Sequence, residues 1–209
     1  MASPSPAAVP ASPSLLAQLR LWPNIVTLVR LGCVPVFVWL LFGRHDRVGA
    51  SLVLGGLGAT DWVDGRLARR LGQVSELGKI LDPTADRLMF LVAVTCMIVD
   101  GSVPLWFALA TLVREGAVGV AALVLGALGA RRVDVTWLGK CATFGLMFAF
   151  PLFLAGHSDV AGHQVLEALA WLCGLPSLAL SYWAAGQYVP IGRAALADGR
   201  AARAASGAG

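Results

Sequence analysis

The sequence predicts an all-α, polytopic integral membrane protein with six transmembrane helices, on three observations. Of its 209 residues 57% are apolar and only 13% are charged, against about 45–50% and about 25% in an ordinary soluble domain. The mean hydropathy is +0.74. Apolar windows of the roughly 20 residues that cross a bilayer core about 30 Å thick recur six times, with short polar breaks between them. A disordered chain, a collagenous chain and a secreted disulfide scaffold are excluded. Cys33, Cys96, Cys141 and Cys173 lie far apart inside apolar runs with no ligand-like spacing, as buried thiols do.

Residues 1–13 contain only Met, Ala, Ser, Pro and Val. Without the basic start and early apolar core of a signal peptide, they read as a disordered leader. Residues 14–22, SLLAQLRLW, place Leu15, Leu16, Leu19 and Trp22 near one helical face. That pattern suits a short interfacial helix on the inner leaflet, or else a ragged extension of the first span. The spans follow at 25–42, 48–67, 80–99, 104–128, 138–155 and 165–187. Their connections are short enough for antiparallel neighbours in a bundle. The domain is expected over 14–190, and the Gly/Ala/Arg-rich residues 191–209 as a disordered cytoplasmic tail.

Orientation follows from the basic residues. With the N-terminus inside, eleven of the sixteen Lys and Arg fall in inner segments, while the outer loops hold only Arg44 and Arg47. The positive-inside rule therefore puts both termini in the cytoplasm. Arg30, Arg87 and Arg114 fall inside spans. The formal charge of +4 is explained by this bias, and nucleic acid is not an expected partner.

Ionisable residues within spans are costly and by default functional. The second span ends in Asp61-Trp-Val-Asp64-Gly65-Arg66-Leu-Ala68-Arg69, and the third opens with Gly78-Lys-Ile-Leu-Asp82-Pro-Thr-Ala-Asp86-Arg87. Asp61 and Asp64 are i, i+3 and Asp82 and Asp86 are i, i+4, so each pair projects from one helix face. Four clustered carboxylates do not all stay ionised without cations. Oxygen ligands without nearby His or Cys suit Mg²⁺ or Mn²⁺, and four acids on two helices can hold two ions. Such ions complete their coordination with phosphate oxygens, which points to a phosphate-bearing substrate. Gly65, Ala68 and Gly78 leave room for a nucleotide or pyrophosphate to approach the backbone. Arg69 can grip a phosphate in bidentate fashion, and Ser75 offers a hydroxyl.

From Asp61 to Asp86 the residues read D-x2-D-G-x2-A-R-x8-G-x3-D-x3-D, eight fixed positions in 26. This resembles the signature of the CDP-alcohol phosphotransferase family of membrane enzymes. The likeness extends to the six spans and to Pro23-Asn24-Ile25-Val26-Thr27-Leu28-Val29-Arg30. The resemblance implies that Asp61 and Asp82 bridge two metal ions, that Asp64 completes one site and Asp86 the other, and that Asp86 is also the general base. It implies that Gly65, Arg69 and Ser75 hold the CDP moiety, with Asn24, Ile25, Val26 and Thr27 closing over it. It also implies a homodimer, and a reaction in which an alcohol attacks the β-phosphate of CDP-diacylglycerol and releases CMP.

The acceptor stays open at this level. Pro83 after the third Asp resembles the branches that make phosphatidylglycerophosphate or cardiolipin, with glycerol 3-phosphate or phosphatidylglycerol as acceptor. A phosphatidylinositol-phosphate synthase-like acceptor fits less well. In the fourth span Arg114-Glu115 continues as Gly-Ala-Val-Gly and lacks the further Arg typical of phosphatidylglycerophosphate synthases. Arg114 and Lys140 are candidate clamps for the acceptor phosphate, although Arg114 can instead neutralise Glu115, and Lys140 can be a positive-inside anchor. From a different class, a cation-coupled transporter would place its acids near the bilayer midplane with inverted repeats, and neither feature is present.

Overall fold

The computed structural model describes the backbone of residues 22–71, 78–127 and 137–207. Among the described residues, six helical bodies follow one another in chain order. Helix α1 spans Trp22–Val38 and runs on as one π-helical turn, Trp39–Gly43. Then come α2, Arg47–Leu71; α3, Gly78–Asp100; α4, Leu105–Ala127; α5, Trp137–Gly156; and α6, His163–Gly207. Among the described residues, Ile25–Gly43, Trp137–Gly156 and His163–Gln187 are each long and apolar enough to cross a membrane. The leader and all but Trp22 of the candidate interfacial helix lie outside the described residues.

The tail differs from expectation. Helix α6 continues through residues 191–207, the stretch that composition assigned to disorder. The physical reason is local, because that stretch is rich in Ala and Arg, both strong helix formers that outweigh its few glycines.

Local signals set the helix ends. Asp46 accepts the backbone N–H of Gly49 at 2.8 Å on Oδ1, and its carbonyl accepts the N–H of Ala50 at 3.0 Å, so it caps the start of α2. Helix α3 stops at Gly101, whose φ of +75° disfavours other residues. There Ser102 N–H donates to the Met97 carbonyl and Gly101 N–H to that of Ile98, a Schellman closure.

The core is concentrated at the end of the bundle where α2 begins and α3 stops. Phe107, Phe150, Phe153 and Trp171 form an aromatic cluster from α4, α5 and α6, with ring centroids 4.9–5.9 Å apart. Leu41, Val94, Met97 and Leu154 are buried around it. At the same end the Arg47 guanidinium donates to Asp100 at 2.9 and 3.3 Å and to the His157 carbonyl at 3.0 Å, tying α2, α3 and the end of α5 together. The hydrogen bond to Asp100 raises the Arg47 pKa above its ordinary value, against the opposing pull of burial.

Small residues let α5 and α6 close on each other. A Cβ on Gly145 would collide with Ser177 Oγ, and one on Gly156 would lie 2.9 Å from the Glu167 backbone. Membrane helices depend on such close approach because lipid tails offer no hydrophobic drive between them. Outward-facing Leu52, Val99, Leu172 and Trp183 are exposed, as a lipid-contacting belt requires.

Candidate active site

Toward its other end the bundle is hollow. A cavity of about 700 Å³ opens among α1 to α5, with walls that include Val34, Phe37, Leu54, Phe90, Leu112 and Phe144. Among the described residues, five charged side chains break the apolar lining: Arg30, Asp86, Arg87, Glu115 and Lys140. Charge in such surroundings persists only when paired or in reach of water.

Asp86 shows how that condition is met. Arg30 on α1 donates from Nη1 to its Oδ1 at 2.6 Å. The Arg30 side chain is 6% exposed and that of Asp86 is 42% exposed, so a buried cation grips a carboxylate that looks into the cavity. The sequence of α1 makes this possible, since Thr27, Arg30, Phe37 and Leu41 are buried at helical spacing while Leu28, Val29 and Val36 face outward. Thr27 therefore lies on the face of Arg30, one turn before it. Ile25 is exposed and Val26 is half-buried. The Asn24 side chain is outside the described residues.

The other acids are placed by backbone alone. Asp61 and Asp64 sit on α2, and Asp82 sits on α3 one turn before Asp86, the i, i+3 and i, i+4 arrangement expected from spacing. Gly65, Ala68 and Arg69 also lie on α2, and Gly78 is the first residue of α3. The side chains of Asp61, Asp64, Arg69 and Asp82 lie outside the described residues, as does Ser75 altogether.

The two acceptor candidates separate. Lys140 lines the cavity together with Thr143. Arg114 is not among the lining residues; it is buried, paired with Glu115, and donates from Nε to the Ser181 carbonyl of α6 at 3.4 Å. Nearby, Tyr182 donates its hydroxyl to the Ala110 carbonyl at 2.8 Å, a second polar tie between α4 and α6. In this geometry Arg114 braces the helices and neutralises Glu115.

Sequence reasoning left Arg30 and Arg87 without a role at the site. Their signal was present, because both are basic residues within apolar spans. What spacing alone does not give is the partner, since Arg30 and Asp86 are 56 residues apart.

An arrangement with acids at adjoining helix ends, a basic residue on the last acid and an apolar chamber beside it suits chemistry on a lipid whose reactive head is anionic. Comparison with known proteins agrees. A family model described as CDP-alcohol phosphatidyltransferase matches residues 20–183. The chain belongs to the CDP-alcohol phosphatidyltransferase family. A relative from Streptomyces coelicolor named cardiolipin synthase (CMP-forming) is 39% identical over 172 residues, covering 80% of each chain. Proteins from Pseudomonas fluorescens and Bacillus subtilis, both named CDP-diacylglycerol--glycerol-3-phosphate 3-phosphatidyltransferase, are 33% identical over 175 residues and 32% identical over 146. The match covers 80% of this chain and 87% of the first, and 63% of this chain and 75% of the second. The chain is thus a CDP-alcohol phosphatidyltransferase of phospholipid biosynthesis, and the transporter alternative falls away.

Proposed function

We propose that this phosphatidyltransferase moves a phosphatidyl group from CDP-diacylglycerol to phosphatidylglycerol, releasing CMP and forming cardiolipin. The observation that carries the acceptor is the apolar cavity beside Asp86. Glycerol 3-phosphate is small and fully hydrophilic and has no apolar part to place there, whereas a diacyl acceptor brings acyl chains whose burial such walls favour. The cationic side chains of Arg30, Arg87 and Lys140 in the same lining suit its phosphodiester. The cardiolipin synthase name of the Streptomyces relative supports the same reading. A glycerol 3-phosphate acceptor is the second reading, favoured by the names of the Pseudomonas and Bacillus relatives.

In the reaction, the acceptor hydroxyl oxygen forms a bond to the β-phosphorus of CDP-diacylglycerol. The bond from that phosphorus to the bridging oxygen breaks, and CMP leaves with the oxygen. Asp86 takes the hydroxyl proton as general base. Arg30 holds the Asp86 carboxylate in place for that transfer. Arg69, Gly65, Ala68, Gly78 and Ser75, with the Asn24–Thr27 turn, hold the CDP moiety.

The acids suit a pair of hard divalent cations, because all the donors are carboxylate oxygens, spaced i, i+3 and i, i+4 along two consecutive helices. Asp61, Asp64, Asp82 and Asp86 would hold two Mg²⁺ or Mn²⁺ ions, which when bound supply electrostatic stabilisation of the charge developing on the phosphates. The reading is completed by six membrane spans, an interfacial helix before α1, both termini and the active site on the cytoplasmic side, and a homodimer.

The test uses purified enzyme in liposomes with CDP-diacylglycerol and Mg²⁺. Phosphatidylglycerol and glycerol 3-phosphate are offered separately while CMP and the lipid product are followed. Cardiolipin with phosphatidylglycerol is expected. CMP release with glycerol 3-phosphate alone would replace this reading with the second.

A further inference from the structure

We infer that the cavity takes the acyl chains of the acceptor lipid through a lateral mouth between α3 and α4, kept open at Gly116, with Gly119 seating a cation at its polar end. The inference rests on a lipid acceptor and names where that lipid enters. On α4, Leu112, Gly116, Gly119, Val120 and Leu123 line the cavity at helical spacing. Leu91 across from them on α3, and Val120 and Leu123 themselves, are 50%, 61% and 70% exposed. The cavity wall therefore continues into the lipid-facing surface. A Cβ on Gly116 would meet nothing within 4 Å, so this position opens onto empty space.

Gly119 has a different task. A Cβ there would lie 3.3 Å from Arg87 Nη1 and 3.5 Å from its Cζ. The missing side chain thus gives the Arg87 guanidinium a bed against α4, one residue from Asp86 and at the polar end of the mouth. A planar bidentate cation at the boundary between an apolar chamber and a carboxylate base matches a lipid whose phosphodiester lies between its acyl chains and its reacting hydroxyl.

A second groove indicates which lipid goes where. About 410 Å³ lies between α2 and α5, lined by Leu52, Gly55, Ala59, Phe148 and Leu152. Met147 separates the two spaces, because its Cε would fall 2.6 Å from a Cβ on Gly58, and both residues line both spaces. The groove along α2 leads to the helix that carries Asp61, Asp64, Gly65 and Arg69 and so suits the donor. The α3–α4 side leads to Asp86, the base that the acceptor hydroxyl must reach.

The test is two-substrate kinetics on the full chain in mixed micelles, with dioleoyl phosphatidylglycerol and CDP-diacylglycerol varied independently. Gly116→Leu is expected to raise the apparent KM for phosphatidylglycerol about tenfold and to move that for CDP-diacylglycerol less than about threefold. A rise confined to CDP-diacylglycerol, or no change in either, overturns the inference. Wild-type enzyme that uses glycerol 3-phosphate and not phosphatidylglycerol overturns the acceptor reading instead, and the inference falls with it. Photocrosslinking of wild-type enzyme with phosphatidylglycerol bearing a diazirine on one acyl chain is independent of the variant's folding. Adducts on Leu91, Val120 or Leu123 are expected. Adducts confined to the α2–α5 groove, or loss of dimer in Gly116→Leu showing that a second copy covers this face, would overturn it.

Discussion

Replacing Arg30 by Met keeps most of the apolar stem and removes only the guanidinium that grips Asp86 at 2.6 Å. Removing one partner of a buried ion pair costs about 3–5 kcal/mol. Here Arg30 is 6% exposed but Asp86 is 42% exposed, so water at the cavity edge recovers part of the loss, and a cost of about 1–3 kcal/mol is expected. The larger effect falls on turnover. A base that must meet a hydroxyl oxygen at hydrogen-bond distance loses about 10²-fold when its position slips by about 1 Å. Arg30→Met is therefore expected to lower kcat about a hundredfold.

The assay is CMP release in nanodiscs at saturating CDP-diacylglycerol and acceptor, alongside a thermal melt of the same sample. Arg30→Lys restores a single point-charge contact without the planar fork, so it is expected to recover part of kcat. A packing role alone would be rescued by Met as well as by Lys. Folded Arg30→Met enzyme with kcat within about threefold of wild type would refute the reasoning.

Asp86→Asn is expected to abolish transfer while CDP-diacylglycerol still binds, measured by single-turnover CMP release and by equilibrium binding of the donor; turnover near wild type would remove Asp86 as base. Chelation is expected to stop the reaction and Mg²⁺ or Mn²⁺ to restore it, and Asp61→Ala to lose metal affinity together with turnover, followed by titration calorimetry. Arg47→Ala breaks the tie to Asp100 and the His157 carbonyl. It is expected to cost about 1–3 kcal/mol, seen as a lowered melting temperature with the acceptor KM unchanged. Gly145→Val drives its side chain into Ser177, whose hydroxyl occupies the space that a Cβ would need. It is expected to destabilise by about 1–3 kcal/mol or more, and double replacement with Ser177→Gly should recover part of that.

Much of this fold is written locally. Each helix needs only an apolar window and an end signal such as Asp46 or Gly101, and these sit next to the residues they govern. The exception is instructive, because the Gly/Ala/Arg-rich composition of residues 191–207 reads as disorder, whereas helix propensity alone keeps α6 going. The acidic motif is legible for the same local reason, being fixed by spacing along two helices. The cavity is not, since its volume depends on how five helices pack around Val34, Phe90 and Phe144. Nor was the separation of Arg114 from Lys140 legible. Both are basic residues in apolar helices, and the rotation of α4 against α6 turns one toward Ser181 while α5 turns the other into the cavity.

The uneven packing of the bundle answers a conflict within the proposed reaction. Two lipids and a nucleotide have to meet at one carboxylate, which calls for space, while the base and its neighbours have to be held closely, which calls for rigidity. A loosely packed bundle would give the space and lose the base. Here the aromatic cluster of Phe107, Phe150, Phe153 and Trp171 and the Arg47 tie fasten α2 to α6 at one end. The other end stays hollow without collapsing because its charges are paired across helices, Arg30 with Asp86, and within them, Arg114 with Glu115. Filling the hollow with apolar bulk would make a more stable bundle with no room for substrate beside Asp86, so the open volume and its costly charges are retained where the chemistry requires them.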